Sequence, residues 1–196
     1  MFPFIESLRL EEGKIVRLAY HNKRLNQTRR ELLGLTDSID LKDYISIPSR
    51  EGRIKCRVEY STSVGIPTYT PYQLRPVQRL KLVESDLITY CYKSVDRRQI
   101  NDLFAQRGEA DDVLIVRHGC LTDTSICNIA LWNGSYWATP DKPLLPGTHR
   151  AALLDEGMIC AETILVDSLE HYSRIRLFNA MIDFGEIDLP LSCLCR

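Results

Sequence analysis

The first half of the chain alternates apolar and polar residues with two different periods. FIESLRL alternates, EEGK forms a turn and IVRLAY alternates back, which predicts a β-hairpin. HNKRLNQTRRELL, from His21 to Leu33, spaces its leucines among charges and predicts an amphipathic helix that ends at Gly34. TDSIDLKDYISI predicts a second helix capped by Thr36 or Asp37, and RIKCRVEYS predicts a strand. These patterns together predict an α+β organisation for this half.

The pattern changes near residue 85. SVDRRQINDLFAQRGEA predicts a helix, because its apolar residues recur at helical spacing. DDVLIVRHGCLTD predicts a strand, a tight turn at His118–Gly119 and a return strand, and NGSYWATP predicts a further hairpin. A proline-rich loop then precedes a helix that we expect to start near Thr148. A strand, a helix and a strand complete the chain, so helices and strands alternate through the second half.

Composition narrows the class of protein. The 196 residues are 44% hydrophobic, enough for one domain or two small ones with a packed core. The 25 basic and 26 acidic residues nearly cancel, so charge gives no reason to expect a nucleic-acid partner. The seven cysteines include no CxxC pair, which favours thiols in a reducing cytosol over a disulfide framework. With no signal-peptide pattern and no stretch of transmembrane length, we expect a soluble, cytoplasmic protein with no membrane partner.

The segment LLPGTHRAALL is a candidate anion site. A proline and a glycine precede the helix start, so the backbone N–H groups of Gly147, Thr148 and His149 are expected to point the same way. An ordinary helix start without a ligand is the alternative. The loop lacks the glycine patterns of nucleotide-binding sites, so the sequence does not support a nucleotide as the ligand.

Lys93, in TYCYKSVDRRQ, is a candidate nucleophile. It lies at the edge of an apolar extended segment, and a partly desolvated lysine becomes a nucleophilic amine near neutral pH that can form a Schiff base. The alternative is a solvated surface lysine.

Two polar residues bracket an apolar stretch in LTDTSICNIALW. Asp123 is either a turn cap or an acid that faces a bound cation, since a buried carboxylate is costly without a partner. Asn128 follows five positions later. Asn179 likewise interrupts the last apolar strand in LFNAMI, where a buried amide needs a partner.

Arg24 and the histidines complete the candidates. Arg24 lies on the first predicted helix, where it either extends along the surface or binds a phosphate in bidentate fashion. The four histidines share no metal-ligand spacing, so we expect no metal site.

The order of these elements resembles that of the fold-type IV pyridoxal-phosphate enzymes. The order is Lys93, a helix, a strand and turn with TD-x4-N, then TP-x4-LPG-x2-R, then NA in a late strand. The family includes the class IV aminotransferases, acting on branched-chain or D-amino acids, and 4-amino-4-deoxychorismate lyase. The resemblance runs from FIESLRLEEGKI to FNAMI, nearly the whole chain.

The resemblance implies a fold and an assembly. It implies the two-domain α/β fold of D-amino acid aminotransferase-like enzymes, with a small α+β domain over residues 1–84 and a larger α/β domain over 85–196. Pyridoxal 5'-phosphate would lie at the interface between the domains, and the protein would be a homodimer acting on a small amino substrate.

The resemblance also implies roles for individual residues. Lys93 would hold the cofactor as a Schiff base and then move protons as a general acid and base. Asp123 would keep the pyridine nitrogen protonated, so that the ring accepts electrons. The other cofactor-binding residues implied are Arg24, Asn128, Gly147, Thr148, His149, Asn179 and Ala180. Of these, Asn128 would support the strand, and Arg24, Asn179 and the N–H groups of Thr148 and His149 would hold the phosphate.

Two departures from the family bear on function. Asp123 stands where the family has glutamate, and the chain lacks the segment and glycine-rich motif that precede the first strand in the family. Aminotransferases recognise much of their substrate through these regions, and a lyase needs no second, keto-acid half-reaction. We therefore expect an aminodeoxychorismate lyase-like enzyme that releases pyruvate and 4-aminobenzoate, a folate precursor. A class IV aminotransferase and a non-catalytic binding protein are the alternatives.

Overall fold

The computed structural model describes residues 3–48 and 52–195. Backbone contacts divide the chain into two compact units, one of Met1–Leu74 with Tyr92–Asp96 and one of Arg75–Cys91 with Arg97–Arg196. The sequence placed a single change near residue 85. The structure divides the chain earlier because Leu80–Glu84 pairs with a strand of the second unit.

The first unit is one antiparallel sheet with one long helix. Its elements in chain order are β1 (Phe4–Glu11), β2 (Lys14–Ile15), α1 (Leu18–Leu33), β3 (Ile54–Tyr60) and β4 (Thr68–Pro71), with a 3-10 turn at Leu41–Asp43. The strand order is β2-β1-β3-β4. β3 buries every second residue, which is the pattern of a sheet with one face on a core. That core includes Leu8 and Leu10 of β1, Leu25 of α1 and Val58 of β3.

Helix α1 confirms one predicted boundary and corrects the other. The helix ends at Gly34, whose φ of 68° is a left-handed conformation that glycine adopts without strain. At the other end, the predicted return strand IVRLAY is wrong beyond Ile15. Arg17 has a φ of 54°, which turns the chain out of the hairpin, and the helix begins at Leu18.

The predicted second helix of the first unit is wrong. Only the 3-10 turn Leu41–Asp43 forms there, and its cap is Asp40, whose side chain accepts from the N–H of Lys42 at 2.9 Å. Asp37 instead pairs with Arg29 of α1. Asp37 therefore forms an ion pair with Arg29 and does not cap a helix as the sequence predicted.

The second unit contains two sheets and two helices. Its elements in chain order are β5 (Leu80–Glu84), α2 (Arg98–Ala105), β6 (Asp112–Arg117), β7 (Cys120–Thr124), β8 (Asn128–Trp132), β9 (Trp137–Pro140), α3 (Thr148–Asp155), β10 (Cys160–Glu162), β11 (Arg174–Phe178), β12 (Ile187–Pro190) and β13 (Leu194–Cys195). One sheet has the order β10-β9-β8-β11-β12, and the other has the order β13-β5-β6-β7. Both sheets mix parallel and antiparallel pairs.

The predicted turns of the second unit are confirmed. His118 and Gly119 both have positive φ, 51° and 72°, and they join β6 to its antiparallel partner β7. The helix predicted near Thr148 begins at that residue. The second predicted hairpin pairs β8 with β9, with Trp132 opposite Trp137. The predicted helix between the last strands is only a 3-10 segment, Val166–His171.

No helix within 3–48 and 52–195 is long and apolar enough to cross a membrane. The same residues contain no cluster of three or more histidine, cysteine or acidic side chains that could hold a metal ion.

Candidate active site

Lys93 is fixed by backbone contacts to the first strand. Its carbonyl accepts from the N–H of Ile5 at 3.0 Å, and the next residue, Ser94, forms an antiparallel bridge with Phe4. These contacts explain why the segment belongs to the first unit although it follows β5 in the chain. These contacts hold the backbone of Lys93 beside β1. The residue itself is only half-buried.

Arg24, on α1, contacts the same strand through its side chain. Its Nε donates to Glu6 Oε1 at 2.8 Å and its Nη2 donates to Glu6 Oε2 at 2.6 Å. His21, one turn earlier on the helix, places Nδ1 2.6 Å from Glu6 Oε2. Glu6 is completely buried. At this point α1 and β1 are therefore joined by buried charged groups.

The charge states of this cluster follow from its surroundings. Burial alone would raise the pKa of Glu6, but Arg24 and His21 outweigh it and hold the pKa at about 2. Burial lowers the pKa of His21, and the charges of Arg24 and Lys93 lower it further, against the opposing effect of Glu6. Glu6 is therefore an anion, Arg24 a cation and His21 neutral. Because a carboxylate only accepts, Nδ1 of His21 carries the proton and donates.

Sequence reasoning missed Glu6. The alternation of FIESLRL puts Glu6 on the same face as Leu8 and Leu10, which are core residues. An acid at an inward position of an alternating strand was the available signal.

Asp123 lies in β7 and is almost fully buried, with 4% of its surface exposed. Its Oδ1 accepts from Asn128 Nδ2 at 2.8 Å, and its Oδ2 accepts from the N–H of Leu145 at 2.8 Å. Burial raises the pKa of Asp123 to about 6, although these donors and the charge of Arg150 act in the opposite direction. The position inside a strand contradicts the alternative of a simple turn cap.

Asn128, the first residue of β8, connects this acid to the helix start. Besides Asp123, its Nδ2 donates to the carbonyl of Leu145 at 2.9 Å. Its Oδ1 lies so close to Gly147 that a Cβ at residue 147 would overlap it. Glycine is therefore required at position 147 by packing, since its φ of -69° is open to any residue.

The start of α3 presents backbone donors. Gly147 is the N-cap, and an α-helix supplies no acceptors for the N–H groups of its own first turn. The His149 side chain turns inward, where Nδ1 lies 2.9 Å from the carbonyl of Asn179 and 3.1 Å from that of Ile182. Since both partners are acceptors, Nδ1 is the protonated nitrogen. The ring is therefore held against the segment that follows β11.

Asn179 follows β11, and its side-chain amide forms hydrogen bonds with backbone groups of the protein. Its Oδ1 accepts from the N–H groups of Met181 and Ile182 at 2.8 and 3.1 Å, and its Nδ2 donates to the carbonyl of Ile126 at 3.1 Å. The side chain thus shapes the turn that carries Ala180. Within the described part of the chain, no protein group accepts from the N–H of Ala180.

The predicted site residues form two sets. Hydrogen bonds and chain neighbours connect those of the second unit, which are Asp123, Asn128, Gly147, Thr148, His149, Asn179 and Ala180. Arg24 and Lys93 belong to the first unit, where both contact β1.

Comparison with known proteins shows which family the chain belongs to. The family described as Amino-transferase class IV matches residues 93–188. A crystal structure of a "putative 4-amino-4-deoxychorismate lyase" from Haemophilus somnus is 35% identical, with a TM-score of 0.87, over 93% of this chain and 97% of that one. The chain belongs to the class IV aminotransferase family. As such it has the mixed α/β fold of the fold-type IV pyridoxal-phosphate enzymes, as the sequence predicted.

Two other proteins are also similar to this chain over most of its length. An uncharacterized protein of Haemophilus influenzae is 37% identical over 92% of this chain and 98% of its own length. A "putative amino-acid aminotransferase" from Mesorhizobium loti covers all of both chains at 24% identity, with a TM-score of 0.81, and shows the fold alone. The chain therefore matches each of these three proteins over nearly all of their length.

The donors of the second unit fit a phosphate group. Gly147 and Ala180 are half-buried, and among the residues described here their N–H groups have no protein acceptor. Such groups normally find a partner. Together with the first turn of α3, they provide backbone donors suited to an anion such as a cofactor phosphate.

The acceptor on Asp123 fits a protonated ring nitrogen. A carboxylate offers about four lone-pair positions. Two are used by Asn128 Nδ2 and the N–H group of Leu145. The carboxylate can therefore accept a further donor, and a cation there would offset the burial of the charge.

Proposed function

We propose that this protein is a pyridoxal 5'-phosphate-dependent, 4-amino-4-deoxychorismate lyase-like enzyme that releases pyruvate and leaves 4-aminobenzoate. The observation that carries the proposal is the similarity to the Haemophilus somnus protein, which is named a "putative 4-amino-4-deoxychorismate lyase" and matches over nearly all of both chains. A shorter match supports it, a "putative aminodeoxychorismate lyase" of Schizosaccharomyces pombe, 35% identical over 39% of this chain and 36% of its own.

The residues would divide the work as follows. When bound, pyridoxal phosphate supplies an electron sink for the bond that breaks next to the substrate amine. Lys93 Nζ would attach the cofactor and, once displaced by the substrate amine, take up and return a proton. Asp123 would keep the ring nitrogen protonated through a further acceptor position of its carboxylate. Asn128 would hold that carboxylate in place.

The phosphate would be bound by one charged donor and several neutral ones. Arg24 would supply a charged, planar donor, which suits phosphate oxygens. The N–H groups of Gly147, Thr148, His149 and Ala180 would supply neutral donors. The side chain of Asn179 would act indirectly, because it fixes the turn before Ala180.

The experiment measures product without a keto-acid acceptor. The purified, cofactor-loaded protein is incubated with 4-amino-4-deoxychorismate, and pyruvate and 4-aminobenzoate are quantified. The proposal predicts that both form in equal amounts and that Lys93→Ala forms neither. A class IV aminotransferase would instead turn over a branched-chain or D-amino acid only when a keto acid is added. Cofactor binding without either reaction would indicate a non-catalytic protein.

Two further parts of the proposal concern the state of the protein. All seven cysteines are free, which supports a reducing compartment such as the cytoplasm. A homodimer is the assembly that the sequence resemblance implied, and light scattering of the purified protein tests it.

A further inference from the structure

Glu6 is a buried charge that the reaction does not use. None of its surface is exposed, yet it is an anion in contact with Arg24 and His21. Burying an ion pair is weak evidence for stability, because an apolar pair of similar volume packs as well or better. A carboxylate in this position therefore calls for an explanation in function.

The geometry of the pair restricts Arg24. Both oxygens of Glu6 are occupied by its guanidinium, through Nε at 2.8 Å and Nη2 at 2.6 Å, which fixes the plane of the group. Glu6 accepts from two of the five N–H donors of the guanidinium. The Arg24 side chain is 12% exposed, whereas Glu6 is wholly buried, so the arginine extends from a buried anchor toward the surface of its unit.

His21 completes the anchor from the same helix. Its Nδ1 donates to Glu6 Oε2, so the carboxylate is held by two side chains one helical turn apart. With His21 neutral, the cluster of Glu6, Arg24 and His21 has no net charge. The arginine is thus oriented by a balanced, buried cluster.

We propose that Glu6 is a positioning residue that fixes the Arg24 guanidinium in the orientation in which it receives the phosphate of the cofactor. The inference rests on the proposed function, in which Arg24 binds that phosphate. A free arginine side chain loses its rotamer freedom on binding, and a fixed one does not. An arginine that is fixed before binding should therefore bind the phosphate roughly 10- to 30-fold more tightly than one that is free.

The test compares two ligands that differ only in the phosphate. Dissociation constants for pyridoxal 5'-phosphate and for pyridoxal are measured by fluorescence quenching on the wild type and on Glu6→Gln. Gln keeps the shape of the side chain but offers an amide where Arg24 and His21 need a carboxylate. The proposal predicts that Glu6→Gln weakens pyridoxal phosphate binding roughly tenfold or more, while pyridoxal binding hardly changes.

A double-mutant cycle separates positioning from general destabilisation. If Glu6 acts through Arg24, the double variant Glu6→Gln/Arg24→Ala binds pyridoxal phosphate no more weakly than Arg24→Ala alone. Asp37→Asn is the control, since Asp37 pairs at 2.8 Å with Arg29, a buried arginine of α1 that the proposed function does not use. This control lowers the melting temperature but leaves the preference for the phosphorylated ligand unchanged.

A second variant covers the case in which Glu6→Gln does not fold. Glu6→Asp keeps the charge but shortens the side chain by one methylene, so it cannot maintain both bonds to Arg24 and the bond to His21. It too is expected to lose preference for the phosphorylated ligand.

The outcomes are distinguishable from failure of the proposed function. If the wild type binds neither ligand, the proposed function fails. If the wild type prefers pyridoxal phosphate and the folded Glu6 variants keep that preference, or if the cycle is additive, the positioning role of Glu6 is overturned.

Discussion

Replacing Asp123 by asparagine tests whether its carboxyl is a costly buried charge. Burial raises its pKa from the ordinary 3.8 to about 6. Between these values the folded protein binds the proton more tightly than the unfolded chain does. The carboxyl therefore contributes stability that is fully present below 3.8 and lost as the pH rises through about 6. The full difference corresponds to about 3 kcal/mol.

The assay compares the cofactor-free wild type and Asp123→Asn at two pH values. From about pH 5 to about pH 8, the wild type should lose roughly 1 to 2 kcal/mol of unfolding free energy relative to the variant, because asparagine does not titrate. For a chain of this size, the gap between the two melting temperatures should change by about 3–6 °C. Other titrating groups are common to both proteins and cancel in the comparison.

Pyridoxal phosphate should remove this pH dependence. A protonated ring nitrogen beside Asp123 would lower its pKa, so the loaded wild type keeps the charge at both pH values. Asp123→Asn should still bind the cofactor but turn over far more slowly. A constant melting-temperature gap in the cofactor-free proteins would refute the assignment of a raised pKa. An active asparagine variant would refute the cofactor role.

Three further substitutions follow from the geometry of the two sets of residues. Arg24→Ala should weaken retention of pyridoxal phosphate by roughly one to two decades, as loss of a charge-assisted bond of about 1.5–3 kcal/mol implies, and titration with the cofactor measures it. Gly147→Ala should cost about 1–3 kcal/mol of stability, because the new Cβ overlaps Asn128 Oδ1; an unchanged melting temperature would contradict the packing. Asp123→Glu should keep turnover, since the family normally carries glutamate there, while the added methylene lowers the melting temperature of this buried site.

The sequence correctly predicted turns and helix ends whose backbone conformation depends on residues close by in the chain. The turn at His118–Gly119 and the helix end at Gly34 depend on residues that adopt positive φ. The start of α3 follows from a proline and a glycine beside Thr148. Each of these signals lies within a few residues of the feature it specifies.

Local patterns could not supply the partners of distant residues. Glu6 and Arg24 are far apart in sequence, and only the packing of α1 on β1 brings them together. Lys93 joins the first unit through its contact with Ile5, although the strand before it belongs to the second. The return strand IVRLAY had the right alternation, but the left-handed turn at Arg17 ended it.

The central claim is that Lys93 carries the cofactor, and one measurement tests it most directly. The loaded protein is reduced with borohydride, which fixes a bond between a lysine and pyridoxal phosphate as a stable secondary amine, and the adduct is located by peptide mass spectrometry. We predict one adduct per chain, on Lys93, and none in Lys93→Ala. An adduct on another lysine, or its persistence in Lys93→Ala, would contradict the site, and a wild type without any adduct would contradict the proposed function.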